Sequence, residues 1–244
     1  MKRSLLALGS ILLMTFSSRD VRAAEIGRSP IVLQGAGPAG NGDTAYIRVV
    51  TERAGKIVAT LGLPDSVQFL RVRKMVAEQY FNLNTIYTER DERLKQLKGQ
   101  QPAPEKNVSD SVKKWVQQDV DAKVEKLHGA YLRQLASALN AQQIDQVKDG
   151  MTYGVLQVTY RGYQEELPNL TEAQKAYILT ALTEAREHAM DGGTSQEKHA
   201  WFGKYKGRIN NYLSAQGYDM KKAGEEWQKR RQQGGGTAGG GTTK

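Results

Sequence analysis

Three histidines, His128, His188 and His199, are the first candidates for chemistry in a chain without cysteine. His188 lies in the acidic segment EAREHAMD, and His199 follows it across a short turn. Because imidazoles near carboxylates can transfer protons, His188 and His199 form a candidate acid–base pair. The histidine spacing fits no zinc pattern, and no serine stands in a nucleophile-elbow sequence. We therefore predict no metal and no nucleophilic catalysis.

The segment EKHAWFGKYKGRINNYL, residues 197–213, alternates aromatic with basic side chains. On a helix its large apolar residues fall within one arc of about 120°. They are Trp201, Phe202, Tyr205, Ile209, Tyr212 and Leu213. Such a stripe is typical of a buried core face, and it also fits a ligand platform.

The opposite side of this predicted helix carries Gly203 and Gly207. Each glycine costs about 1 kcal/mol relative to alanine, so a row of them indicates close approach by another helix or by a ligand. Lys204 and Arg208 flank the row, and basic groups there could pair with carboxylate or sulfate groups. The residues that we predict to contact an acidic polysaccharide or oligosaccharide are Trp201, Lys204, Tyr205, Arg208, Tyr153 and Tyr160.

A glycine motif near the start, Gly35-x-Gly37-x-x-Gly40, has the spacing of a dinucleotide-binding fingerprint. That motif binds a nucleotide only when a helix begins inside it and a second strand follows. Asn41-Gly42-Asp43 should interrupt a helix, and no such strand follows. We interpret the motif as part of a linker and predict no cofactor.

The elements that position these residues are predicted to be helices. Residues 44–61 have helical spacing, and Pro64-Asp65 then ends one helix and begins the next. Apolar residues follow a 3.5-residue period over residues 76–97 and 112–138, which is typical of two helices that pack along their length. The fold class predicted is all-α: a helical bundle with a long antiparallel helical hairpin, followed by shorter C-terminal helices.

Helix starts are well marked in the second half of the chain. Asn140-x-x-Gln143, Thr171-x-x-Gln174 and Thr194-x-x-Glu197 are capping boxes, in which side chains satisfy the free N–H groups of a first turn. Gly217 fits the left-handed position that ends a helix. Residues 155–167 contain residues that favour strands, yet the chain offers no partner strand, so we predict a short helix there.

The N-terminus has the pattern of a signal peptide over residues 1–23. Lys2 and Arg3 precede an apolar run that is too short to span a bilayer, and small residues follow it. A retained membrane anchor is the alternative. We predict a periplasmic or secreted protein with a flexible linker over 24–43, one helical domain over 44–231, and a disordered Gly/Thr-rich tail over 232–244.

The charge of the chain argues against a nucleic-acid partner. Its formal net charge is +9, but the predicted leader holds four basic residues and one acidic residue. Four more basic residues lie in or beside the Gly/Thr-rich tail, which leaves about +2 for the rest of the mature chain. This excess is too small for the basic footprint of a nucleic-acid-binding protein.

Several segments resemble an uncharacterised family of secreted bacterial proteins, including LHGAYLRQL, LPNLTEAQKAYILTALTEAREHAMD and EKHAWFGKYKGRINNYLSAQGYD. The family is catalogued as a domain of unknown function and sometimes described as sugar-binding, and its genes often lie beside polysaccharide-degradation genes. The resemblance covers roughly residues 45–231. It implies a periplasmic or secreted setting and a link to carbohydrate, and it brings no catalytic residues. Our first interpretation is therefore an exported, non-catalytic binding protein in a polysaccharide-utilisation setting.

Two other functions stay open at this point. Residues 170–174, LTEAQ, match the L-T-x-x-Q motif of periplasmic stress chaperones of the Spy and CpxP kind, which implies a holdase. A polysaccharide-active enzyme such as a lyase is the other alternative. There His188, His199, Tyr205 or Arg208 would act as acid, base and charge neutraliser.

Overall fold

The structure, a computed structural model, describes residues 41–100 and 104–234. Eight helices and no strand are present in these two ranges, which confirms the all-α prediction. The helices are α1 (Asn41–Ala59), α2 (Ser66–Gly99), α3 (Lys106–Ala136), α4 (Ala141–Met151), α5 (Val155–Glu166), α6 (Glu172–Met190), α7 (Ser195–Ala215) and α8 (Met220–Gly234).

Helices α2 and α3 form the predicted long hairpin and pack against each other. Asp65 caps α2, and its carboxylate accepts a hydrogen bond of 2.7 Å from the backbone N–H of Gln68. The apolar period places Leu83 and Leu97 of α2 and Val116 and Val120 of α3 in buried positions. The sequence pattern therefore predicted both helices and their pairing.

A first apolar cluster joins the base of the hairpin to α1 and α4. Its fully buried side chains include Ala54, Val72, Val76, Leu135, Val147 and Met151. Gly150 lets α1 and α4 approach closely, since a Cβ at this position would lie 2.9 Å from the side chain of Ile57. This cluster fixes the base of α3, on which His128 stands.

A second apolar cluster lies between α5, α6 and α7. Its members include Leu156, Tyr163, Ile178, Leu182, Phe202, Tyr205, Ile209 and Leu213. The stripe on α7 is therefore mainly a core face, with Trp201 and Tyr212 half-buried at its margin. All three predicted capping boxes are present, at the starts of α4, α6 and α7, and Gly217 has the predicted positive φ of 92°.

Two predicted boundaries are wrong. Helix α1 begins at Asn41, so Asn41-Gly42-Asp43 does not interrupt it; the first turn tolerates such residues because its N–H groups are unpaired in any helix. Helix α8 continues to Gly234, so residues 232–234 are helical and do not belong to the tail. The predicted signal peptide, the glycine motif, residues 101–103 of the hairpin connection and residues 235–244 lie outside the described residues.

Candidate functional site

The turn between α6 and α7 is the structural centre of the candidate site. Asp191 ends α6, and the capping box of Thr194 and Glu197 starts α7 four residues later. Gly193 lies directly against the hairpin, where a Cβ would meet the ring of Tyr87 at 2.5 Å. The turn is thus held close to α2, and a side chain larger than glycine at position 193 would push the two apart.

Asp191 joins three separate parts of the fold. One of its carboxylate oxygens lies 2.6 Å from Nδ1 of His128 on α3, and the other accepts 3.2 Å from the side-chain amide of Gln79 on α2. Its backbone carbonyl accepts 2.9 Å from the hydroxyl of Tyr87. Burial raises the pKa of Tyr87 to about 12, so this hydroxyl keeps its proton. Asp191 itself is only 5% exposed, which fixes the carboxylate in place.

His128 is consequently an oriented imidazole. Its Nδ1 faces Asp191, and its Nε2 lies 3.7 Å from a carboxylate oxygen of Glu187 on α6. The hydrogen bond with Asp191 raises the pKa of His128, against the opposing effect of burial. The charges of Asp191 and Glu187 act in the same direction, and Lys148 acts against them. The protonated form of the His128 imidazole is therefore favoured.

Glu187 is also held from its far side. Lys148 on α4 donates to both of its carboxylate oxygens, at 3.0 Å and 2.8 Å. The neighbouring Arg186 is buried and donates to Asp149 at 2.8 Å and Asp145 at 2.6 Å. These pairs tie α4 to α6 and hold Glu187 beside the imidazole of His128.

The buried Lys198 stabilises the turn between α6 and α7. It is 4% exposed, and its ammonium donates to the carbonyls of Ala189 at 3.1 Å and Met190 at 2.7 Å. These are carbonyls of the last turn of α6, which have no partner within the helix. Burial lowers the pKa of Lys198 to about 8. Its role is to cap α6 and hold the turn that carries Asp191.

Trp201 forms the aromatic part of the site. The imidazole of His188 stacks on it, with ring centroids 4.4 Å apart and planes inclined by 17°. The exposed ammonium of Lys204 lies 4.8 Å from the centroid of the same ring. Across the turn, Arg90 donates to Glu197 at 3.0 Å and lies over the ring of Tyr87.

These side chains enclose a cleft of about 600 Å³ between α2 and α3 on one side and α6 and α7 on the other. We call it the hairpin cleft. It is lined by Tyr87, Arg90, Gln117, Asp121, Val124, Glu125, His128, Glu187, His188, Asp191, Gly192, Glu197 and Trp201. Five carboxylates stand in this lining against the single guanidinium of Arg90, so the cleft has an acidic wall.

The structure does not bring the six predicted glycan contacts into one site. Trp201 lines the cleft, and Lys204 lies beside it. Tyr205 is only 5% exposed because it belongs to the second core cluster, while Arg208 pairs with Glu184 at 3.2 Å.

The other two predicted contacts lie elsewhere. Tyr153 is exposed and stacks on His199 with ring centroids 5.9 Å apart. Its backbone has a φ of 59°, an uncommon conformation for a residue with a side chain. Tyr160 is half-buried against the second core cluster. Neither tyrosine lines the hairpin cleft.

The predicted pair of His188 and His199 is likewise separated. His188 stacks on Trp201 and His199 on Tyr153, and among the described residues no hydrogen bond joins the two histidines. Glu187 and Asp191, the acidic neighbours of His188 in the sequence, instead face His128. The sequence carries no local signal for this arrangement, because it depends on how α3 packs against α6 in the tertiary fold.

The row of small residues on α7 forms no groove. Gly203 and Gly207 are exposed, and a Cβ at either position would find no heavy atom within 4 Å. The interpretation of this row as a helix-packing surface is therefore wrong for these two positions. The L-T-x-x-Q match also has a local explanation, since Thr171 and Gln174 form the capping box that starts α6.

The fold and site define an all-helical protein with an acid-lined cleft between a helical hairpin and its C-terminal helices. The sequence profile of the family described as "Protein of unknown function (DUF3826)" matches residues 47–233, and the chain belongs to this family. No curated protein matches the sequence significantly.

Two further findings concern the described residues alone. None of the helices in 41–100 and 104–234 is long and apolar enough to cross a membrane. In the same ranges, no group of three or more histidine, cysteine, aspartate or glutamate side chains is arranged to hold a metal ion.

Proposed function

We propose that this chain is an exported carbohydrate-binding protein whose ligand lies in the hairpin cleft. The observation that carries the proposal is the combination in one concave site of the half-buried Trp201 with carboxylate, amide and guanidinium groups. Carboxylates can accept hydrogen bonds from sugar hydroxyls, side-chain amides can both accept and donate, and aromatic rings supply apolar contact to the C–H faces of a sugar. Small-ligand sites have this character: an apolar surface with a few placed polar groups.

The charge of the cleft indicates the class of sugar. Among the described residues, five carboxylates and one arginine line the cleft. That arginine, Arg90, is already paired with Glu197. Like charges within a few ångströms repel, so an acidic glycan would be disfavoured there. A neutral or amine-bearing glycan fits this lining better. Of the two basic residues predicted to contact an acidic glycan, Lys204 is exposed outside the cleft and Arg208 is paired with Glu184.

Support for export comes from the basic, apolar and small-residue order of residues 1–23. The polysaccharide setting comes from the resemblance of the sequence to secreted proteins encoded near polysaccharide-degradation genes. Both are consistent with a cleft that meets glycans outside the cytoplasm.

A glycan array with the purified domain tests the proposal. It should carry xylan, mannan, galactan and chitosan oligosaccharides beside polygalacturonate and alginate. We expect binding to a neutral or amine-bearing glycan that is weakened when Trp201 is replaced by alanine. Binding to polygalacturonate or alginate alone would contradict the assignment to this cleft, and binding to none of these glycans would contradict the proposed function.

A further inference from the structure

We propose that the hairpin cleft hydrolyses the glycan it binds, with His128 as the general acid and Asp121 as the general base. This inference rests on the proposed function, because it requires a glycan in the same cleft. It assigns an activity to a site whose binding role alone would not require an oriented imidazole.

The geometry around His128 is the first support. The buried Asp191 holds Nδ1 at 2.6 Å, and Gln79 in turn fixes Asp191. The other ring nitrogen, Nε2, lies 3.7 Å from Glu187, which is beyond hydrogen-bond distance. Nε2 is therefore free to donate to a ligand atom, and the His128 side chain is 24% exposed in the cleft wall. An imidazole held at one nitrogen and open at the other is the usual arrangement of a proton-transfer residue.

The acidic lining selects the type of reaction. Cleavage of a glycosidic bond passes through a transition state with positive charge on the sugar ring. Carboxylates around the ring, such as Glu125 and Glu187, stabilise that charge. A lyase or an esterase must instead stabilise a developing negative charge, which this lining would oppose. The electrostatics therefore favour glycoside hydrolysis over the lyase reaction.

Asp121 is placed to act as the base. It lies seven residues before His128 on α3, on the same face, which separates the two by about 10 Å along the helix axis. This is well above the roughly 5–5.5 Å of retaining glycosidases, and a wider spacing of this kind leaves room for a water molecule between acid and base, as in inverting enzymes. One oxygen of Asp121 accepts 2.7 Å from the side-chain amide of Gln117, and the residue lines the cleft.

The reaction balances as a simple hydrolysis. Nε2–H of His128 gives its proton to the glycosidic oxygen as the bond from C1 to that oxygen breaks, and the bonding electron pair stays on the oxygen. A water molecule attacks C1 from the opposite side, and Asp121 accepts the proton that the water loses. Asp121 then releases its proton to solvent, and solvent returns a proton to His128. The products are two sugar hydroxyls, with inverted configuration at C1.

The test uses the glycan that the array identifies and measures both binding and new reducing ends. The variants are His128→Asn, which keeps a donor toward Asp191, and Asp121→Asn, an exposed change that should leave folding intact. His199→Asn, at a histidine outside the cleft, is the matched control. We expect the wild type and the control to cleave, and His128→Asn and Asp121→Asn to lose about 10²-fold or more in rate while binding is retained.

A third variant distinguishes a positioning role of Asp191 in catalysis from a purely structural role. Asp191 acts through His128, so Asp191→Asn should move the alkaline limb of the pH–rate profile to lower pH, since the carboxylate that favours the protonated imidazole is gone. The product anomer, followed by NMR, should be inverted. Loss of rate without a shift of this limb would contradict the positioning role of Asp191.

The outcomes distinguish the two proposals. If a glycan binds in the cleft and the wild type releases no reducing ends from it, the hydrolytic inference is overturned and the binding function stands. Full activity of His128→Asn, or a retained anomer, would also overturn the assigned roles. If none of the glycans on the array binds, both proposals fail together.

Discussion

Nδ1 of His128 lies 2.6 Å from a carboxylate oxygen of Asp191, and this contact joins the hairpin to the end of α6. The two residues are 63 positions apart in the chain, so their pairing belongs to the tertiary fold. It orients a cleft-facing imidazole, and it also couples the stability of the protein to pH.

The first prediction concerns this coupling. The pKa of His128 is raised in the folded protein, mainly by the hydrogen bond with Asp191, so folding tightens the hold on its proton. Its contribution to stability is complete below the unfolded pKa of about 6.5 and is lost as the pH rises through the folded pKa. Urea unfolding across this range should show a falling free energy of unfolding in the wild type and a smaller fall in His128→Asn. The same fall in both proteins would contradict this assignment.

Lys198 gives the opposite trend at higher pH. Burial lowers its pKa to about 8, so the unfolded chain binds the proton more tightly than the folded one. Its cost to stability is complete below pH 8 and is relieved as the pH rises from about 8 toward the unfolded pKa of about 10.4. The free energy of unfolding should contain a term that rises by up to about 1 kcal/mol per pH unit in this window.

Lys198→Met should remove that rising term, because methionine carries no charge. It should also lower stability at pH 7, since the carbonyls of Ala189 and Met190 lose their donor. Urea titrations at pH 7, 8 and 9 check both effects. A rise of equal slope in the variant would show that another group causes it.

Glycine substitutions should separate the turn from the exposed row on α7. Gly193→Ala places a methyl group against the ring of Tyr87, and we expect a loss of about 1–3 kcal/mol with displacement of the cleft wall. Gly203→Ala is the matched control: its Cβ meets nothing, and replacing an exposed helical glycine should add about 1 kcal/mol. Thermal unfolding measures both. Equal effects of the two substitutions would contradict the close approach at Gly193.

The signal-peptide prediction can be tested on the expressed protein. When the chain is expressed with residues 1–23, it should be exported, and the cleaved product should begin near Ala24. N-terminal sequencing of the extracellular or periplasmic fraction identifies the first residue. A product that keeps Met1 in the membrane fraction would favour the retained anchor.

The helices and their caps could be predicted because the signals are local. Thr194 and Glu197 lie three residues apart, and the stripe of Phe202, Tyr205 and Ile209 repeats within one helix. The structure places the aromatic stripe largely in the core, which is one of the two interpretations that its pattern allows. Trp201 reaches the cleft because it stands at the edge of that stripe, a margin that periodicity alone does not resolve.

The site itself could not be predicted in the same way. Glu187 and Asp191 were associated with His188 because they lie near it in the sequence, yet their side chains face His128 from another helix. Which histidine meets them depends on how α3 packs on α6, and no local pattern encodes that. The exposed glycines on α7 were also misinterpreted. The low helix propensity of glycine suggests that a contact requires it, but a Cβ at Gly203 or Gly207 would contact nothing.

The account depends most on a glycan contacting the ring of Trp201 in the hairpin cleft. Calorimetric titration of the array-selected glycan should therefore compare the wild type with Trp201→Ala and with Trp115→Ala, an exposed tryptophan outside the cleft. We expect Trp201→Ala to weaken binding about tenfold, as the loss of one aromatic contact implies, and Trp115→Ala to bind like the wild type. Unchanged affinity of Trp201→Ala, or equal weakening in both variants, would contradict the central claim.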